Sequence, residues 1–218
     1  MEHEFWHERW TQGRTGFNQA APHPMLVEHW SALGCPPDRA VFVPLAGKTI
    51  DMVWLADQGH RVIGNELSPI AVEQFFDERG LTPARRSVRS FEALDAEPYE
   101  LWCGDLFELT AADLDGVGVV YDRASLVALP PEMRRRYADH LAAILPDASI
   151  LLISFAYDQA EMNGPPFSVT ADEITELFGH RYRIERVSDI EQFSDRVDRR
   201  ERGLSAPHET VDVLRPLG

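Results

Sequence analysis

A chain of 218 residues, 44% hydrophobic and 26% charged, is long enough for one α/β domain and too apolar to be disordered. Its net charge of -15 repels phosphate backbones and argues against a nucleic-acid substrate. The distant pair Cys35 and Cys103 gives neither a disulfide framework nor a metal-spaced motif. No apolar run reaches the ~18 residues of a membrane span. Residues 1–6 are acidic and aromatic, unlike a secretory leader, so a cytoplasmic location is expected.

Residues 1–37 contain no strand pattern. They offer a short helix over 2–10, then Gly13, Gly16, Pro22 and Pro24, and read as a cap over one end of a sheet. Residues 38–218 alternate short apolar runs with helical patterns, which predicts a mostly parallel, doubly wound sheet. Strands are expected at 39–46 and 61–67, separated by a helix over 49–58 that stops at Gly59. Ser68 and Pro69 open the next helix as N-cap and first-turn proline, and Gly80 closes it. Residues 81–98 carry turn and charge signals and read as a loop or lid.

Further strands are expected at 99–103, 117–121 and 149–157, with a helix over 130–145 between the last two. A short helix follows over 170–178, capped by Thr170. Residues 182–187 and 210–214 fit an antiparallel hairpin at the sheet edge. The basic stretches at 134–136 and 196–202 read as solvated surface, and Ser154, inside an apolar strand, points into packing.

Ligands of open parallel sheets bind beyond the carboxyl ends of the strands, where strand order reverses. That rule selects Gly47, Glu66, Asp105, Asp122 and Arg123. Gly47 allows close approach of a ligand to backbone N–H groups, although alone it reads equally well as a tight turn. Glu66 ends the second strand, where a carboxylate can accept hydrogen bonds from the ribose hydroxyls of an adenosine-containing cofactor. Asp105 and Leu106 suit the edge and face of an adenine, or a simple turn. Arg123 suits an anion, such as a cofactor carboxylate or an ionised substrate; an exposed Asp122–Arg123 pair is the plainer alternative. Trp6 and Trp10 share a helical face and read as core or as a lid over a flat ligand. The segment has no G-x-G-x-x-G, which counts against an NAD-dependent oxidoreductase, and the eight histidines form no metal-ligand pattern.

These features come together in a resemblance. Segments 6–17 (WHERWTQGRTGF), 43–48 (VPLAGK), 59–67 (GHRVIGNEL), 101–109 (LWCGDLFEL), 121–129 (YDRASLVAL) and 164–167 (GPPF) resemble the bacterial branch of the thiopurine S-methyltransferase family. The likeness runs to about residue 178. It implies a seven-stranded Rossmann-like sheet with an N-terminal helical lid, and S-adenosylmethionine as cofactor. It places Trp10, Leu45, Glu66 and Arg123 at cofactor-binding positions, Asp105 and Leu106 beside the adenine, and Phe17 near the acceptor. The family's C-terminal active-site arginine has three candidates, Arg196, Arg199 and Arg202. The expected acceptor is a small aromatic or heterocyclic thiol, ionised with help from Arg123, with no residue assigned as an essential base. Selenium or tellurium compounds are the alternative acceptors, and a non-catalytic nucleotide-binding protein is the alternative from another class. A monomer without nucleic-acid or membrane partners is expected.

Overall fold

The computed structural model describes residues 3–16, 18–191 and 207–218. Among these, the strands join one nine-stranded sheet in the order β3-β4-β5-β2-β1-β6-β7-β9-β8. Its centre is parallel: β1 (Ala40–Val43), β2 (Val62–Glu66), β5 (Tyr99–Cys103), β6 (Val117–Arg123) and β7 (Ser149–Ala156). These strands lie between two helical layers. Their near-continuous apolar runs reflect burial on both faces. Strand order reverses between β1 and β6, so the connections that follow them run to opposite sides and leave a crevice at their carboxyl ends.

Helices α5 (Pro131–Ile144) and α6 (Ala171–Phe178) cover one face, burying Tyr137, Leu141, Ile174 and Phe178. Helices α3 (Asp51–Asp57) and α4 (Pro69–Asp77) cover the other, burying Met52, Leu55, Val72 and Phe75. Thr170 caps α6 by accepting the Glu173 N–H at 3.3 Å. Ser68 stands at the N-cap of α4, but its hydroxyl makes no capping bond. Glu66 instead fixes the residue that enters the helix, its Oε1 accepting the Ser68 N–H at 2.7 Å.

The sheet has nine strands where seven are expected, because residues 81–98 are not a loop. They form β3 (Ala84–Val88) and β4 (Phe91–Ala96), an antiparallel ribbon added to β5. Only β4 is largely buried, with Phe91 and Ala93 in the core on one face and Leu94 in the core on the other. Strand β3 lies at the sheet edge, and its Arg85 is held by Glu73 of α4 at 2.6 Å. Charged edge strands discourage pairing with other chains, and the same charges resemble a loop in sequence. The expected hairpin is present and longer than its apolar residues suggest, with β8 (Tyr182–Glu191) at the edge and β9 (His208–Pro216) between β7 and β8.

The N-terminal region divides in two. Helix α1 (His3–Thr11) lies at the carboxyl end of the sheet, as a cap would. Helix α2 (Pro24–His29) and the 3-10 turn after it do not cap the end. They bury Met25, Leu26, Trp30 and Leu33 in the same apolar layer as α3 and α4. The apolar pattern of residues 25–33 is therefore that of a core helix.

The basic triplet also splits. Arg134 is completely buried, with Nε donating to Leu129 O at 2.9 Å, and Nη1 to Ser168 O at 3.1 Å and Glu173 Oε1 at 2.6 Å. It was expected on the surface because three arginines in a row resemble a solvated face. Helical geometry puts residue 134 on the same inward face as Tyr137 and Ala138, at i+3 and i+4, whatever its charge, and here Glu173 compensates that charge.

Candidate active site

The carboxyl ends of the parallel strands, helix α1 and the loop after β7 enclose a cavity of about 570 Å³. Six residues selected from sequence, Trp10, Leu45, Glu66, Asp105, Leu106 and Arg123, all line it. Phe17 and the candidates Arg196, Arg199 and Arg202 lie outside the described residues.

The first half of the cavity is built around Glu66 at the end of β2. This carboxylate is buried, and both its oxygens take backbone hydrogen bonds: Oε2 from Gly47 N–H at 2.8 Å and Oε1 from Ser68 N–H at 2.7 Å. Burial pushes its carboxyl above the usual range, against the opposing pull of these amides. The loop that supplies Gly47 has positive φ at Leu45 (46°) and Gly47 (54°). Its tight turn brings the backbone to the cavity wall, beside Trp10.

Across from Glu66, Asp105 caps the turn Leu106–Glu108 by accepting the Phe107 N–H at 3.0 Å. His140 of α5 holds the Leu106 carbonyl at 2.9 Å. Burial lowers the His140 pKa, which keeps its ring neutral near pH 7. Arg136, also on the cavity wall, places its guanidinium carbon 3.8 Å from the Phe107 ring centroid.

The second half lies beyond β6, β7 and β9. The structure rules out an exposed Asp122–Arg123 pair, because Asp122 turns inward. It accepts from Tyr137 Oη at 2.7 Å and Leu126 N at 3.2 Å, and burial raises its pKa. Arg123 faces the cavity instead, with Nη1 3.9 Å from Asp51 Oδ2. Asp51, buried at the start of α3, also accepts the His23 N–H at 2.8 Å and Tyr121 O–H at 2.9 Å. His23 Nε2 in turn lies 3.3 Å from Glu209 Oε1, on the cavity wall. Ser154 is buried and shares a 2.8 Å hydrogen bond with Thr210, as packing requires, yet it also lines the cavity.

Asp51, His23 and Glu209 were missed in the sequence. Asp51 carried one available signal, an acid in the first turn of a helix immediately after the Gly47 loop. His23 and Glu209 come from distant segments and meet only in the folded chain.

The loop after β7 closes this half. Met162, Pro165 and Pro166 line it. Tyr157 Oη donates to Pro166 O at 2.7 Å, Phe167 N donates to Val127 O at 2.7 Å, and Arg134 fastens Ser168 from beneath. Among the described residues, no group of three or more His, Cys, Asp or Glu side chains could hold a metal. No helix among them is long and apolar enough to cross a membrane.

This fold is that of the S-adenosylmethionine-dependent methyltransferases. A Burkholderia thailandensis 1,6-didemethyltoxoflavin-N1-methyltransferase, solved with S-adenosylhomocysteine, matches with a TM-score of 0.64 at 21% identity, over 99% of this chain and 87% of its own. A Synechocystis magnesium protoporphyrin IX methyltransferase, also solved with S-adenosylhomocysteine, matches with a TM-score of 0.64 at 15% identity, over 98% and 100%. The sequence is more specific. The family model for thiopurine S-methyltransferase matches residues 1–216. The thiopurine S-methyltransferases of Marinobacter nauticus and Xanthomonas campestris are 46% and 50% identical, covering 94% and 86% of this chain and the same shares of their own. The chain belongs to the thiopurine S-methyltransferase family and is an S-adenosylmethionine-dependent methyltransferase.

Proposed function

We propose that this chain methylates the sulfur of an aromatic or heterocyclic thiol. The observation that carries the reading is one cavity with an anchored acid, Glu66, in one half and a guanidinium, Arg123, in the other. The residues present suit the cofactor. Glu66 has lone pairs left beyond its two amide bonds to accept from ribose hydroxyls. Asp105 and Leu106 suit the edge and face of an adenine, and Leu45, Gly47 and Trp10 shape the neighbouring wall.

When bound, S-adenosylmethionine supplies the methyl group that the acceptor sulfur takes by in-line displacement. The chain's own residues position the acceptor and exclude water. Arg123 favours an anionic acceptor and holds it by a permanent charge. The wall formed by Ile153, Phe155, Met162 and the two prolines is apolar, which strips water from the nucleophile. Helix α1 acts as a lid, with Trp6, Arg9 and Trp10 along the cavity. Hydrogen exchange in residues 6–17 should therefore slow when S-adenosylhomocysteine binds.

Calorimetry with S-adenosylmethionine, S-adenosylhomocysteine and NAD tests the cofactor half, and binding of NAD alone would overturn it. A panel of aromatic thiols, alkyl thiols and selenium or tellurium compounds, followed by release of S-adenosylhomocysteine, tests the acceptor half. Turnover confined to the metalloid compounds would replace the thiol reading.

A further inference from the structure

Methylating a thiol that arrives protonated leaves a proton to be placed, and the second half of the cavity contains a carboxylate suited to take it. Glu209 is the second residue of β9 and pairs in register with Phe155, so it stands at the carboxyl end of β7. It lines the same cavity as Arg123 and Ser154, with a side chain 15% exposed. Behind it His23 is buried, with Nε2 3.3 Å from Glu209 Oε1 and Nδ1 without a hydrogen-bond partner. The imidazole therefore backs the Glu209 carboxylate from the protein side and limits how far it can turn from the cavity.

We propose that Glu209 is the general base for acceptors that bind as neutral thiols, and that His23 is its positioning residue. The assignment rests on the thiol-methylation reading above. In this step the S–H proton passes to a Glu209 carboxylate oxygen while the sulfur lone pair forms the new S–CH3 bond. The old C–S bond of the sulfonium breaks, its electron pair stays on the departing sulfur, and the proton leaves Glu209 for solvent at the cavity mouth. Arg123 and Glu209 then divide the acceptors: Arg123 serves those already ionised, Glu209 those that are not. Among the described residues, Asp51 of α3 and Tyr121 and Arg123 of β6 lie near this pair, and Arg9 and Arg14 of the N-terminal segment line the same cavity.

The test is kcat/KM for a series of aromatic and alkyl thiols of graded acidity, at one pH, for wild type, Glu209→Gln and His23→Gln. Glu209→Gln should lose about 10²-fold or more on thiols that are un-ionised at that pH and less than about 3-fold on those fully ionised. His23→Gln should show the same trend with smaller losses. In Glu209→Gln the rate on an un-ionised thiol should rise with pH toward the thiol's own pKa, while wild type reaches its plateau at lower pH. S-adenosylhomocysteine affinity and thermal midpoint, measured for each variant, register any purely structural damage. Equal losses across the series, or none, would overturn the role of Glu209 and leave the thiol reading standing. If wild type binds S-adenosylhomocysteine but methylates no thiol of the series, the thiol reading fails and this inference fails with it.

Discussion

Trp10 occupies the space into which a side chain at residue 47 would project: a methyl group on Gly47 would stand 3.1 Å from Trp10 Cζ2. Gly47 also has φ of 54°, a left-handed conformation. Helix α1 and the Gly47 loop therefore pack so closely that a side chain at residue 47 would push Trp10 aside by a few tenths of an ångström. Gly47→Ala should cost about 1–2 kcal/mol from backbone strain alone, with a further loss from displacing Trp10. Urea unfolding of Gly47→Ala in the parent and in a Trp10→Ala background separates the two contributions. Full stability of the single mutant would mean that the loop does not hold this conformation.

Glu66 should govern cofactor affinity. Glu66→Ala is expected to weaken S-adenosylhomocysteine binding by about 1.5–3 kcal/mol, the scale of lost hydrogen bonds to a charged group. The pH dependence has a definite sign. Burial raises the Glu66 pKa in the free protein, so folding favours its protonated form. The stability linked to that proton is present below the ordinary carboxylate range and is lost as pH rises through the raised value. On the proposed cofactor assignment, ribose hydroxyls donate to the ionised carboxylate, so binding favours loss of any proton it carries. Affinity should therefore fall as pH drops through the raised value, while Glu66→Gln stays flat. Calorimetry in buffers of different ionisation enthalpy would detect the released proton.

Much of the fold is legible because the central strands are buried on both faces. Tyr99–Cys103 can be read to the residue, and Ser149–Ala156 nearly so. Strand β3 is not legible, since four of its five residues are exposed and its charges are matched by α4 and β4 rather than by an apolar pattern. Within the site, the strand-end residues stand out because an apolar run gives way to a polar group. Asp51, His23 and Glu209 lack that contrast; tertiary packing alone makes them neighbours. Arg134 was hidden by its company, a core residue followed directly by two other arginines.

Removing Arg134 should be among the most damaging changes on the α5 face. Arg134→Ala leaves the Leu129 and Ser168 carbonyls without their donor and Glu173 without its counter-charge. Breaking such a pair costs about 3–5 kcal/mol when both charges are fully buried. Glu173 retains some exposure, so the lower end of that range is expected. Denaturant titration measures it, and a change below 1 kcal/mol, on the scale of surface pairs, would contradict the buried role.

Arg123 should matter more for turnover than for folding. Arg123→Lys keeps the charge but loses the planar fork, so partial activity should remain. Arg123→Ala should lose more, and its rate should recover partly as pH rises and the acceptor ionises unaided. Coincident pH–rate profiles for wild type and both variants, measured on one aromatic thiol, would remove Arg123 from acceptor binding.

Cys103, at the end of β5, should be chemically silent. Burial, reinforced by the nearby charges of Glu66, Glu92 and Glu73, pushes its thiol up to about 12. The reactive thiolate is scarce at neutral pH. Iodoacetamide labelling followed by mass spectrometry should show Cys103 protected in the native protein and modified after denaturation. Rapid native labelling would show that the thiol is neither buried nor neutral.

The position of β9 between β7 and β8 has a consequence for how the enzyme comes into being. The sheet interior on that side is completed by residues 208–216, which are synthesised about fifty positions after β7. Until they arrive, a nascent chain carries β7 as a bare apolar edge, a template for pairing with the wrong partner. Glu209 sits on that same late strand, so the cavity wall and the sheet are finished in one event. A ribosome that stops short of residue 208 leaves a chain with an unfinished wall and an exposed β7 edge, a product suited to clearance rather than to partial activity.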